Sequence, residues 1–412
     1  MTHAAVRPLS GVRILAVEHY GAGPFASLYL SDLGAEVIKI EDPGRGGQPG
    51  GDSSRQSGPH FLGPQDSHFF QTFNLGKKSV ALDIRAPEGR AIFDRLVAGS
   101  DAVLNNLRGD QPAKLGLTYA ALASLNPRIV CAHLSGYGST GPRAAWPAYD
   151  YLMQAEAGFL HLTGEPGSTP SRMGLSIVDY LSGITLAFAT VSALFGALRS
   201  GTGRDVEVTL YDVAMHQLTY PATWYLNTGD VVERRPRSGH PSVVPCEVFP
   251  TRDGQIFIMC VLPKFWEALC AVLGESRLVT DPRFAQPPDR FQNRDALVGI
   301  LDAVLCARST AEWMSALAGR VPAAPILALP QALDNPYLAQ TGGIQTLTHP
   351  AAAEFRVMTN PIRIDGNRIA AQVAPALGAD TAQVLSGVGL TQTDLADLAA
   401  RGIIAGPIGP RR

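Results

Sequence analysis

VRILAVEHYGAGPFASLYLSDLGAEVIKIE, residues 12–41, reads as a strand, a turn, a helix and a second strand. Residues 12–17 are an apolar strand, GAGP at 21–24 is the turn, 25–33 repeat apolar side chains at helical spacing, and 36–40 are the next strand. That order makes one βαβ unit and so a parallel sheet. The unit also fits the loose dinucleotide fingerprint. Gly21, Gly23 and Ala26 match it, and Glu41 falls twenty residues after Gly21, where a ribose-binding acid belongs. Pro24 counts against that reading, because it suits a helix start but removes a backbone donor where a pyrophosphate needs donors.

Working outward, residues 42–67 are rich in Gly, Pro, Ser and Arg and form a long loop of the kind that covers a site. The α/β alternation then resumes with a strand at 79–84, a helix at 87–97, a strand at 102–105, a helix at 119–125 and a strand at 129–134. Three strand ends deliver polar groups to loops: Arg85, then Asn106 with Arg108, then Ser135 to Gly138. In open parallel sheets such loops form the ligand crevice, and Arg85, Arg108 and Lys114 together suit a polyphosphate.

The chain of 412 residues is long enough for two or three domains, and 46% hydrophobic residues supply a large core. Lys and Arg number 34 against 36 Asp and Glu, a net charge of −2 that favours neither nucleic acid nor an anionic membrane surface. Cys131, Cys246, Cys260, Cys270 and Cys306 are odd in number and lack CxxC spacing, so they read as reduced thiols of a cytoplasmic protein. Neither they nor the histidines at 60, 68, 133, 161, 216 and 349 have metal-ligand spacing. MTHAAVRPLSG lacks the apolar core of a signal peptide, and the one membrane-length run, 181–198, is diluted by Ser, Thr and Gly and reads as a packed helix.

That run belongs to RMGLSIVDYLSGITLAFATVSALFGALRSGTGRDVEVTLYD, residues 172–212, which sets Asp179 at its head and Arg199 with Gly201 as its stop. Asp179 is therefore expected in the first helical turn, accepting unpaired N–H groups and remaining ionised at neutral pH. A desolvated carboxylate is a competent nucleophile, and an ordinary N-cap is the alternative. Beyond Asp212 the aromatic, basic and proline-rich stretch 220–250 reads as a linker, followed by a strand at 255–260, helices at 264–273, 294–305 and 310–317, a strand at 354–358 and a last helix at 391–401. The expected division is a large domain over 1–215, a linker over 216–250, a small domain over 251–325, and a linker with return to the large domain over 326–412.

VEHYGAGPFASLYLSDLGAEVIKIEDPGRGG, FNLGKKSVALDI, NNLRGDQPAKLGL, LSGYGSTGP, VDYLSG and PALGADTAQVLSGVGLTQTDLADLAARGII, in this order, resemble the family III CoA-transferases, also called the CaiB/BaiF family. The resemblance implies a Rossmann-like open parallel sheet in a large domain built from both chain ends, a small α/β domain, and an interlocked homodimer. It implies transfer of CoA from an acyl-CoA thioester to a free carboxylic acid through aspartyl anhydride and aspartyl-CoA thioester intermediates on Asp179. The CoA thioester is then a substrate, and no cofactor is tightly bound. By the same resemblance CoA contacts fall on His19, Tyr20, Gly21, Leu82, Asp83, Ile84, Arg85, Asn106, Leu107, Arg108, Lys114, Ala148, Tyr149 and Asp150, with Tyr149, Asp150 and Gly239 at the substrate pocket.

The chain departs from the family at Asp42, where members place a basic residue, at Lys114, where Arg is common, and at Cys246. The 2-methylacyl-CoA racemases of this fold carry His-Asp where this chain has Tyr149-Asp150, and tyrosine is a poor base near neutrality. Arg55, Arg143 and Arg172 are candidates for a dicarboxylate acceptor, against the plainer reading of solvated surface cations. Three readings stand at this point: CoA transfer, acyl-CoA epimerisation, and nicotinamide-dependent dehydrogenation.

Overall fold

The computed structural model describes residues 7–408. Its main sheet has seven strands: β1 Arg13–Val17, β2 Glu36–Glu41, β3 Lys78–Leu82, β4 Ala102–Asn105, β5 Val130–Ser135, β6 Arg204–Thr209 and β7 Ile404–Ala405. They lie in the order β7-β3-β2-β1-β4-β5-β6. The first six are mutually parallel, so the succession 3-2-1-4-5-6 is that of a doubly wound dinucleotide-binding sheet. Ala16 sits opposite Lys39 on one side and Leu104 on the other, which fixes the register of the three central strands. β7 was not foreseen. It pairs antiparallel with the outer edge of β3, Ile404 opposite Leu82, and caps an edge that would otherwise present unpaired backbone groups.

Strands buried on both faces explain the near-continuous apolar runs: Ile14, Leu15, Ala16, Ala102, Val103 and Leu104 are wholly inaccessible. Leu82, Phe93, Leu96, Leu117 and Leu122 join one core with Leu385, Leu395 and Ile404, so residues from both ends of the chain close the same interior.

Helix α1, Ala22–Asp32, begins inside the GAGP segment read as a turn. Pro24 falls in its first turn, where the missing N–H costs nothing. Helix α2, Asp150–Glu156, is separated by Gly158, at φ 82, from the single turn Phe159–Leu162. Helix α3, Ile177–Ser200, is 24 residues long and closes on Gly201, whose φ of 74 suits a residue without Cβ.

α3 packs on α1 through small residues: a Cβ on Gly183 would lie 2.7 Å from the Ala22 carbonyl oxygen. With Ser182, Gly183, Leu186, Thr190, Ala193 and Ala197 turned inward, the helix has the length and composition of a membrane span, mean hydropathy 1.8, while burying one face in this protein's interior. Its other face leaves Ile184, Phe188, Phe195 and Leu198 exposed.

The chain forms two compact units. One takes residues up to 157, Gly174–Gln217 and the stretch from Pro336 onward; the other takes Gly158–Met173 and Leu218–Asn335. The second unit holds a three-stranded antiparallel sheet, Ala323–Pro325 against Gln255–Met259 against Cys246–Pro250, over a core of Trp266, Phe249, Phe284, Leu301 and Trp313. The stretch expected to be a linker contains helix Thr219–Thr228 and the strand Cys246–Pro250. Pro221 lies in that helix's first turn, where a proline is tolerated, and Gly229 ends it at φ 77.

Candidate active site

β1 and β4 are the neighbours at which the strand order reverses, the point where an open sheet leaves a crevice beyond its strand ends. A cavity of about 590 Å³ occupies it. His19, Tyr20 and Gly21 reach it from β1, Asn106, Leu107 and Arg108 from β4, Ser135 and Gly136 from β5, and Ala148 with Tyr149 from the approach to α2. Asn106 joins the first two groups: its Oδ1 accepts the His19 N–H at 2.8 Å and its Nδ2 donates to the His19 carbonyl at 2.7 Å. Burial, with the Lys39 ammonium behind it, pushes the His19 imidazole below its ordinary value, so it is neutral near pH 7.

A second cavity of about 280 Å³ adjoins the first and shares Tyr20, Gly21, Tyr149 and Asp179 with it. Phe69, Phe73, Tyr151 and Tyr180 make this one aromatic, and Asp150 lines its floor. Asp179 thus stands at the junction between a polar cavity and an aromatic one.

The glycines of the GAGP segment answer to these side chains rather than to a pyrophosphate. A Cβ on Gly21 would lie 2.9 Å from Asp179 Oδ2, and one on Gly23 would lie 2.6 Å from the Asn106 side chain. Glu41, the candidate ribose acid, is buried and fully engaged: it accepts from Arg55 Nε at 2.8 Å and Nη2 at 2.7 Å, from Ser79 Oγ at 2.6 Å and from the Asp52 N–H at 2.9 Å. The geometry therefore removes the dehydrogenase reading. It also corrects Arg55, which is no solvated surface cation but wholly buried against Glu41 and the Phe70 ring.

Asp179 occupies the first turn of α3, yet the helix-terminal donors are not its own. Asp150 Oδ2 accepts the N–H of Val178 at 2.7 Å and of Asp179 at 3.0 Å, while Gln154 holds the other Asp150 oxygen at 2.5 Å. Asp150 thus caps α3 from across the chain instead of capping its own helix. The ionisation expected for Asp179 at neutral pH is therefore only partial. Burial, and then the Asp150 charge, push its carboxyl up to about 7. Near neutrality a large share of it is a carboxylate that no donor among the described residues holds.

Other expected contacts are not among the residues that line the two cavities. Leu82 is core, Asp83 pairs with Arg45, and Arg85 faces Asp42 at 4.0 Å; none of them, nor Ile84, lines either cavity. Lys114 is exposed and bonds to Asp110 at 2.6 Å, as does the Arg108 guanidinium. Gly239 belongs to the second unit, where it donates to the Pro236 carbonyl and leaves room for Arg294. The aromatic lining was missed, although Phe69 and Phe73 at helical spacing in HFFQTFN (Helix His68–Asn74) carried a signal.

The sequence profile of CoA-transferase family III matches residues 9–381. The acetyl-CoA:oxalate CoA-transferase of Acetobacter aceti is 35% identical over 368 residues, covering 87% of this chain and 90% of that protein. The succinate–glutarate CoA-transferase of Agrobacterium fabrum is 32% identical, covering 92% and 95%. Among solved structures, Rv3272 of Mycobacterium tuberculosis superposes with a TM-score of 0.81 at 32% identity, covering 92% of this chain and 99% of that one. A CaiB/BaiF family protein of Brucella suis follows at 0.78 and 30%, with the same coverage.

Proposed function

The chain belongs to CoA-transferase family III, and we propose that Asp179 carries CoA from an acyl-CoA thioester to a free carboxylic acid. The observation that carries this reading is the position of Asp179, a half-buried carboxylate without a donor among the described residues, between a polar cavity and an aromatic one. The larger cavity suits the pantetheine arm, with His19, Tyr20, Gly21, Asn106, Leu107, Arg108, Ala148 and Tyr149 as its walls, and the smaller one suits the acyl group, beside Tyr149 and Asp150.

The steps balance without ATP or metal. An Asp179 oxygen attacks the thioester carbon, the C–S bond breaks, and CoA leaves as thiolate with the electron pair, giving a mixed anhydride. The thiolate attacks the Asp179 carbonyl carbon and expels the donor acid as carboxylate, leaving CoA on the enzyme as a thioester. The acceptor carboxylate then repeats the two steps in reverse and restores the Asp179 carboxylate. Each tetrahedral oxyanion needs a donor. α1 starts beside the Asp179 carboxylate, and its first N–H groups, without intrahelical partners, are suited to that task.

The relatives named for oxalate and glutarate make short dicarboxylates the first acceptors to assay. We also assign the exposed stripe Ile184, Phe188, Phe195 and Leu198 to contact with a second copy of the chain; sedimentation as a monomer would remove that assignment. Four of the five free cysteines are buried, in keeping with a reducing cytoplasm.

The test is to incubate the enzyme with acyl-CoA and analyse its peptides by mass. A CoA adduct, or its hydroxylamine product, is expected on the peptide carrying Asp179. Asp179→Ala is expected to lower kcat by at least about 1,000-fold while CoA binding changes less than about threefold. Turnover near the wild-type rate in that variant would refute the assignment.

A further inference from the structure

Against the backbone that leads into Gly21 lies a set of charged side chains with no part in the chemistry above. Glu18, Lys39, Glu41, Asp52, Arg55 and Lys77 are all buried, three acids against three bases. Asp52 meets Lys39 at 2.9 Å, Lys77 meets Glu18 at 2.9 Å, and Arg55 grips Glu41. Burying such pairs costs desolvation that apolar side chains of similar size would not incur, so fold stability is a poor reason for the cluster.

Its bonds converge instead on one stretch of backbone. Lys77 holds the Glu18 side chain, Lys39 Nζ donates to the Glu18 carbonyl at 3.0 Å, Asn106 takes both ends of His19, and Asp52 accepts the Tyr20 N–H at 3.0 and 3.2 Å from its two oxygens. Three consecutive residues are therefore fixed just before Gly21, the residue whose Cα faces the Asp179 carboxylate.

Tyr20 needs such holding. Its φ is 69, in the left-handed region that a tyrosine adopts only against a cost of about 1 kcal/mol or more. Its ring packs on Phe69 at a centroid distance of 4.8 Å and lines both cavities. Were Tyr20 to relax to negative φ, the chain direction into Gly21 and α1 would change. We propose that Asp52 is a positioning residue for the transfer reaction: anchored by Lys39 and the Ser54 N–H, its carboxylate keeps Tyr20 left-handed, and this seats Gly21 and the start of α1 against Asp179. Burial alone would raise the Asp52 carboxyl, but Lys39 overrides it and holds the group well below the usual carboxylate range, so it stays charged at any working pH.

The inference rests on Asp179 as nucleophile, and its test separates the two. In single turnover, Asp52→Ala is expected to slow formation of the CoA adduct and lower kcat about 100-fold, with KM for acyl-CoA within about threefold. In a Tyr20→Gly background, where glycine takes positive φ freely, the same Asp52 change is expected to cost less than about fivefold. Equal costs in both backgrounds, or a change confined to KM, would overturn the proposal. Should Asp52→Ala fail to fold, Tyr20→Asn and Tyr20→Val decide the matter. Asn tolerates left-handed backbone and Val does not, so kcat of the Asn variant is expected to exceed that of the Val variant by about tenfold, and the reverse order overturns the idea. Absence of any adduct on wild-type Asp179 would instead refute the nucleophile; an adduct formed at the wild-type rate by Asp52→Ala refutes only the role of Asp52.

Discussion

The ends of β1 and β3 carry loops that the sequence marks alike, polar segments leaving parallel strands with a basic or aromatic residue in reach. They do different things. The loop after β1 is clasped residue by residue and forms the wall between two cavities, whereas the loop after β3 spends its charges locally, Asp83 on Arg45 and Arg85 toward Asp42. The difference lies in the neighbours. β1 stands beside β4, where the order reverses and the connections diverge, while β3 stands between β2 and the short antiparallel β7. A polar residue at a strand end acquires a site only where the sheet opens a crevice for it.

Asn106→Ala attacks this contrast most directly. It removes the partners of the His19 N–H and of the His19 carbonyl, and we expect kcat to fall about 10- to 100-fold and the fold to lose about 1–3 kcal/mol, read from steady-state kinetics and chemical denaturation. An unchanged kcat would mean that the clasp is incidental.

The next effect is on pH dependence. With the Asp179 carboxyl up at about 7, the ionised nucleophile is lost as pH falls, so kcat/KM is expected to drop about tenfold per unit below that value. Asp150→Asn keeps an oxygen for the two α3 N–H groups but removes the charge. The acid limb is then expected at lower pH, though still above an ordinary aspartate, because burial, the larger cause, remains. Tyr20, Tyr149, Tyr151, Tyr180, His19 and Arg108 share those cavities and are unchanged by the substitution. A limb that stays in place would show that Asp150 acts as a cap alone.

The smallest effect belongs to β3. Arg85→Ala is expected to change kcat/KM by no more than about twofold, since its guanidinium is exposed and its partner at 4.0 Å is Asp42. A tenfold loss would return the β3 loop to the site and weaken the contrast.

Much of the fold was legible because its signals are local. The apolar runs of β1, β2 and β4 and the helices Arg294–Leu305 and Thr310–Leu317 stand where periodicity puts them. The errors concern partners distant in sequence. Asp179 was expected to use the α3 donors, but Asp150, 29 residues earlier, takes two of them, the N–H groups of Val178 and Asp179. Arg55 looked like a surface cation because nothing near it in the chain announces Glu41, 14 residues back. Helix Thr219–Thr228 falls where a proline-rich composition reads as a linker, because composition does not show that Pro221 sits in a helix's first turn, where a proline is tolerated.

Arg55 Nη1 donates to the carbonyl of Pro375, 320 residues downstream, and the Gly378 N–H donates to Ser79 Oγ, which itself holds Glu41. The scaffolding under the nucleophile is therefore finished by a segment synthesised long after it. A ribosome halted between residues 210 and 375 would carry nearly every group that lines the two cavities and still lack the wedge that keeps them in place, so such a truncation is expected to give an inert fragment rather than a slow enzyme.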